Sequence, residues 1–135
     1  MLEWDLSALF KNEEELEAFA CENIRQAEEF RQKYEKKIAH LSKEEFLISL
    51  KQYENLNENA TKIMTYAYLC FAKNTLNGDF YARYEEKCKK IEENLLFFEL
   101  EFCELEELKS SEFVEFCEDY AFYLNNLLKN KKFNL

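Results

Sequence analysis

The sequence of 135 residues contains no proline and a single glycine, Gly78. These two residue types punctuate most β-hairpins and long loops, so their scarcity argues against a β-rich or loop-rich fold. The abundant Glu, Lys, Leu and Ala are good helix formers. The composition therefore predicts helices that are joined by short connections.

Long apolar runs and an N-terminal targeting pattern are also missing. No stretch approaches the roughly 20 apolar residues that span a bilayer. The opening residues Met1–Asp5 lack both the basic and the apolar region of a signal peptide. We therefore expect a cytoplasmic protein with no membrane partner.

The cysteines do not form a recognisable framework. Their number is odd and no C-x-x-C pair occurs, which fits neither a disulfide scaffold nor a zinc site. We interpret them as small hydrophobic core residues. The five are Cys21, Cys70, Cys88, Cys103 and Cys117.

Acidic residues outnumber basic ones, 28 to 18, and the formal net charge is −10. A chain of this charge repels phosphate backbones and anionic lipids. The short basic segment Lys129, Lys131 and Lys132 is interpreted as a set of cations at a helix C-terminus, where they complement the helix dipole. We predict no nucleic-acid partner.

What the sequence does contain is aromatic residues and helical periodicity. Thirteen Phe and eight Tyr indicate a packed protein. Asn12 and Glu15 mark the start of a first helix that we expect to run from Glu13 to Ala39. A helix of that length favours an elongated bundle.

Three further helices are predicted. Ser42 and Glu45 form a capping box that starts the second helix, which has a possible break near Asn57. The segment 74–79 is the clearest turn, and we expect the third helix from about Phe80, after a cap by Asp79, to about Leu108. Ser110 or Ser111 would cap the fourth. The expected fold is an all-α, elongated up-down bundle of about four long helices, forming a single domain over 1–135.

The residues needed for catalysis are mostly absent. A catalytic zinc site uses three protein ligands, commonly with two histidines in H-E-x-x-H, but His40 is the one histidine here. A di-iron site would need Glu-x-x-His, and Lys37 stands three residues before His40. We interpret His40 as a partner of the helix dipole at the end of the first helix, and the glutamate pairs as solvated surface. We predict no catalytic, cofactor-binding or metal-binding residue, and no enzymatic activity of these residues alone.

Three stretches of the chain have recognisable motifs. They are Trp4–Phe10, which fits W-D-L-x-x-L-[FY]; Tyr66–Leu69, whose Tyr-Ala is followed by the turn Asn74–Asn77; and Phe97–Phe102, which contains F-F-E-L-E. In order and spacing, these motifs resemble the N-terminal region of the oligoendopeptidase F family, which belongs to the thimet-type zinc metallopeptidases. With a final helix that is similar to the family's Y-x-x-x-L-x-x-L-x-[RK] stretch, the resemblance covers nearly the whole chain.

The resemblance implies a non-catalytic helical lobe that helps roof the groove in which such an enzyme hydrolyses short peptides. The zinc ligands of the family, H-E-x-x-H and a downstream Glu, have no counterpart in these residues, so no site residue is carried over. The implied partner is the catalytic lobe of the same enzyme, which holds the zinc.

A second hypothesis is a stand-alone helical-bundle module for interaction or self-association, in which exposed apolar surface makes a homo-oligomer possible. The aromatic candidates for such a surface are Tyr68, Phe71, Phe97 and Phe122. The alternative is that these four side chains complete a broad core.

Overall fold

A computed structural model describes residues 10–74, 76 and 78–131, with side chains to 130. The all-α fold class is confirmed, because the described residues form helices and no strand. Within them, three long helices and two short ones replace the expected set of about four long helices. The α-helices are α1 (Glu13–Tyr34), α2 (Lys43–Lys73), α3 (Gly78–Glu104), α4 (Glu107–Phe116) and α5 (Ala121–Lys131), and Ile38–His40 and Glu118–Tyr120 are 3₁₀ helices.

The predicted N-caps Asn12 and Ser42 are confirmed, whereas the predicted cap by Asp79 is wrong, because α3 begins at Gly78 and includes Asp79. The Asn12 side-chain oxygen accepts a 2.8 Å hydrogen bond from the Glu15 N–H at the start of α1. The Ser42 hydroxyl accepts the Glu45 N–H, and the Glu45 carboxylate accepts the Ser42 N–H, both at 3.1 Å. The capping box therefore satisfies backbone donors that a helix start leaves unpaired.

Helix α1 ends five residues before the predicted Ala39. Lys36 has a φ of 66°, a left-handed conformation that a helix cannot continue. The Glu101 carboxylate accepts the backbone N–H groups of Lys36 (2.6 Å) and Ile38 (3.4 Å). A side chain from α3 thus holds the turn that stops α1.

The break suggested near Asn57 does not occur, because α2 is continuous through it. Buried side chains recur every three or four residues across the polar stretch, so the helix keeps one apolar face without interruption. These side chains are Tyr53, Leu56, Ala60 and Ile63.

Helix α3 begins two residues before Phe80 and ends at Glu104, before the predicted Leu108. At the turn before α3, the Asn74 side-chain oxygen accepts the Leu76 N–H at 3.0 Å, as expected of a turn-forming Asn. After α3, the Leu105 N–H donates a 3.2 Å hydrogen bond to the Phe102 carbonyl, and the Leu105 side chain is buried.

The expected fourth helix is two helices, and neither serine caps it. Ser110 is buried inside α4, and its hydroxyl donates to the Glu107 carbonyl at 3.1 Å. Cys117 leaves the helical region (φ −92°, ψ 57°), which separates α4 from the Glu118–Tyr120 turn and α5.

The chain divides into two compact units. The first consists of Met1–Glu29 and Glu54–Asn94. In its described part, α1 packs against the C-terminal half of α2 and the N-terminal half of α3. Its buried side chains are Phe10, Leu16, Ala20, Asn23, Ala27, Leu56, Ala60, Ile63, Tyr66, Ala67, Tyr84, Cys88 and Ile91.

The second unit consists of Phe30–Tyr53 and Leu95–Leu135 and has an aromatic core. Phe46 is fully buried between Phe113 and Phe98, with ring centres 4.2 and 5.7 Å away and nearly parallel planes. Phe30 and Phe102 extend this cluster. Each unit thus has its own packed centre, and a single domain over 1–135 stays a prediction.

Candidate functional site

His40 lies exposed on the 3₁₀ helix Ile38–His40, and not at the end of α1. Within 10–74, 76 and 78–131, no group of three or more His, Cys, Asp or Glu side chains is arranged to hold a metal ion. The zinc of the resembled family therefore finds no matching set of ligands among the described side chains, and no reaction step is assigned to them.

The cysteine interpretation is correct for two of the five thiols and wrong for the others. Cys88 and Cys117 are buried, Cys70 and Cys103 are half-buried, and Cys21 is exposed on α1. Burial raises the pKa of the Cys88 thiol to about 12. Sequence neighbours do not separate these environments, because Cys88 is buried although it lies between Lys87 and Lys89, and Cys21 is exposed although it follows Ala20.

The glutamate groups are mostly solvent-facing, as expected. Glu86 is exposed and Glu85 is half-buried. The other members, Glu13, Glu14, Glu15, Glu106 and Glu107, are exposed.

The Phe97–Phe102 segment is built into the second unit. Phe97, Phe98 and Phe102 are buried in the aromatic cluster. The Tyr53 hydroxyl donates to the Glu99 carboxylate, and Glu101 holds the turn after α1. Leu100 alone in this segment is substantially exposed, at 55%. The segment acts as a packing and hydrogen-bonding element.

The other two resembling segments are described in part. Trp4 to Leu9 lie outside the described residues, as do Thr75 and Asn77. Phe10 is buried, with its ring centre 5.4 Å from that of Tyr66 in an edge-to-face contact. In these segments Phe10, Tyr66 and Ala67 therefore contribute to packing in the first unit, whereas Tyr68 and Leu76 are exposed.

The four aromatic candidates have different environments. Tyr68 and Phe122 are exposed by 57% and 82%. Phe71 is half-buried against Tyr81, and Phe97 is buried against Phe30. In the basic tail Lys129 is exposed, whereas the Lys131 side chain and Lys132 lie outside the described part.

A polar cluster around Glu17 joins α1 to α3 in the first unit. The carboxylate accepts the Tyr84 hydroxyl at 2.7 Å and pairs with the Lys87 ammonium at 3.0 Å. The hydrogen bond from Tyr84, followed by that from Lys87, lowers the pKa of Glu17. Burial is the main cause that raises the pKa of Tyr84. The sequence offered no signal for this pair, because its members are 67 positions apart.

The first unit also has an open groove between α2 and α3, called here the α2–α3 groove. Its lining includes Asn57, Ala60, Thr61, Met64, Thr65 and Tyr68 from α2, and Tyr81 and Glu92 from α3. These lining residues combine methyl, aromatic and polar side chains with one carboxylate, Glu92, and they include no histidine, cysteine or basic residue.

Comparison with known proteins identified no relative: no protein family, curated protein or solved structure matches this chain. None of the described helices combines the length and apolar character needed to cross a membrane.

Proposed function

We propose that the chain is the non-catalytic helical lobe of an oligoendopeptidase F-like zinc metallopeptidase in the cytoplasm. In this role it helps roof the groove in which a separate catalytic lobe hydrolyses short peptides. The zinc and its chemistry belong to the catalytic lobe. The contribution of this chain is steric, since it limits which polypeptides reach that lobe.

The observation that carries the proposal is the structural use of the resembling segment Phe97–Phe102. Its three Phe residues are buried, and both Glu99 and Glu101 accept long-range hydrogen bonds. Buried and hydrogen-bonded residues of this kind help to determine a fold, so their presence in one of the resembling segments supports a shared helical fold. The same residues offer no catalytic group.

A stand-alone interaction or self-association module is the second candidate. It is favoured by large apolar side chains that are exposed in both units. The described ones above half exposure are Ile48, Tyr68, Leu76, Leu96, Leu100, Leu108 and Phe122. A surface of this kind can contact a catalytic lobe, another protein or a second copy.

The test is a gating experiment. A catalytic lobe of the resembled family, carrying H-E-x-x-H, is expressed separately and mixed with this chain. Hydrolysis of a short quenched fluorescent peptide is then compared with hydrolysis of a long unfolded polypeptide. The control replaces this chain with its Phe46→Ala variant, which loses a ring from the centre of the second unit.

A roof predicts that adding the chain leaves cleavage of the short peptide intact or raises it, while cleavage of the long polypeptide falls. The destabilised variant should have a weaker effect. If the chain changes neither reaction and does not bind the lobe, the peptidase proposal is wrong and the interaction module remains.

A further inference from the structure

The α2–α3 groove lies on the side of these helices that α1 leaves uncovered. The Asn59 amide donates to the Asn23 side-chain oxygen at 2.8 Å, and the Lys62 ammonium lies 5.3 Å from the ring centre of Phe19. These contacts direct one face of α2 toward α1. The adjacent face is exposed and carries Thr61, Thr65 and Tyr68.

The α2 wall of the groove is long enough to lie along several turns of another helix. From Asn57 to Tyr68 its α2 wall spans eleven steps, which is roughly 16 Å or three helical turns. Ala60 and Met64 form an apolar floor, and Tyr68 and Tyr81 stand at one end. Flexible Met and amphipathic Tyr side chains are well suited to contact apolar side chains of another helix.

Several basic side chains of α2 and α3 in this unit contact α1 or Phe10, which precedes it. Arg83 pairs with Glu13, and Lys87 pairs with Glu17 at 3.0 Å. Lys62 lies over the ring of Phe10, 5.1 Å from its centre. Three basic side chains are therefore held on the covered side.

The groove rim is predominantly acidic. Glu92 lines it, and the exposed Glu54 and Glu58 precede Thr61 by seven and three positions, which places them on the same face of α2. Lys89 lies 4.0 Å from Glu85 and offsets that carboxylate. Glu54, Glu58 and Glu92 have no ion pair among the described residues.

We propose that the α2–α3 groove binds a basic amphipathic helix of a partner protein. Apolar side chains of that helix contact Met64, Tyr68 and Tyr81. Its Lys or Arg side chains face the carboxylates of Glu54, Glu58 and Glu92. This inference holds for a peptidase lobe and for a stand-alone module alike. A second copy is a poorer occupant, because two chains of net charge −10 would bring like charges together.

The experiment uses the chain labelled with ¹³C at its methionine methyl groups. The sequence has two methionines, Met1 and Met64, so a Met64→Leu variant assigns the two signals. The probe is a synthetic amphipathic peptide of Leu and Lys, about 18 residues long to give five helical turns. Its twin has Glu in place of Lys.

We expect the Leu/Lys peptide to shift the Met64 signal and to bind more weakly as salt is raised, because exposed charges are screened. Tyr68→Ala should lower the affinity at least about fivefold, as loss of an aromatic anchor does. Glu92→Lys should lower it mainly at low salt. The matched controls, Phe122→Ala and Glu28→Lys, remove an exposed aromatic ring and reverse an exposed charge elsewhere, and should leave the affinity unchanged.

The proposal is overturned if the Met64 signal does not respond, if the control variants lose as much affinity, or if the Leu/Glu peptide binds equally well. It is also overturned if the free chain self-associates through this face, so that Tyr68→Ala abolishes the association. None of these results depends on peptidase activity, so the proposed function can fail separately.

Discussion

Replacing Lys36 with glycine should stabilise the protein. Lys36 has a φ of 66° directly after α1, a position where helices often use glycine. The left-handed conformation costs a residue with a Cβ about 1–2 kcal/mol, and glycine avoids most of this cost. The hydrogen bond from the backbone N–H to Glu101 is retained in the variant.

The expected net gain is about 0.5–1 kcal/mol, because glycine also gives the unfolded chain more freedom. With a urea dependence of about 1–3 kcal/mol per molar, the unfolding midpoint rises by roughly 0.2–1 M. Helical circular dichroism during urea unfolding measures this shift.

Two controls separate the backbone effect from the loss of a charge. Lys36→Gln removes the same charge but keeps the Cβ, so it should not stabilise. Lys37→Gly changes a residue whose φ is −120°, where glycine gives no relief, and should destabilise. Equal effects of Lys36→Gly and Lys37→Gly would refute the reasoning.

Three other predictions concern packing, pH and thiol chemistry. Phe46→Ala should destabilise by about 3–5 kcal/mol, since Phe46 is fully buried between stacked rings, whereas Phe122→Ala, at 82% exposure, should change the urea midpoint little. The lowered pKa of Glu17 means that its stabilisation is present above the unfolded value near 4.5 and is lost as the pH falls through the lower folded value. In the Glu17→Gln variant, the free energy of unfolding should therefore fall less steeply as the pH is lowered below about 4.5. The same dependence on pH in the variant and the original protein would contradict the contacts of Glu17 with Tyr84 and Lys87. In thiol titration with a disulfide reagent, Cys21 should react first and Cys88 and Cys117 only on unfolding, so five equally fast thiols would contradict the described burial.

Local signals in the sequence predicted the starts of α1 and α2. Asn12 and Ser42 cap through residues three positions away, and such interactions are encoded within one turn. The fold class follows from these local features.

The sequence did not predict features that depend on distant residues. Helix α1 ends where Glu101, 65 positions later, accepts the N–H of Lys36. Asn23 was not predicted to be buried, and it is, because its amide oxygen accepts a hydrogen bond from Asn59 across 36 positions. Ser110 resembles a cap locally, but α4 already begins at Glu107, so Ser110 lies inside the helix.

The same limit applied to the candidate site. Tyr68 and Phe122 were predicted as possible surface aromatics together with Phe71 and Phe97, and periodicity could not separate the exposed pair from the others. The acidic rim of the α2–α3 groove depends on which cations face α1. That arrangement arises from pairs such as Arg83 and Glu13, which are 70 positions apart.

The most direct test of the proposed function is a zinc-dependent hydrolysis assay on a short quenched peptide. It compares this chain alone, a separate H-E-x-x-H catalytic lobe alone, and the two together, each with and without a chelator. We predict no turnover by this chain alone, and chelator-sensitive turnover by the lobe that is retained or rises when the chain is added. Chelator-sensitive turnover by this chain alone, retained after repeated purification, would contradict the account.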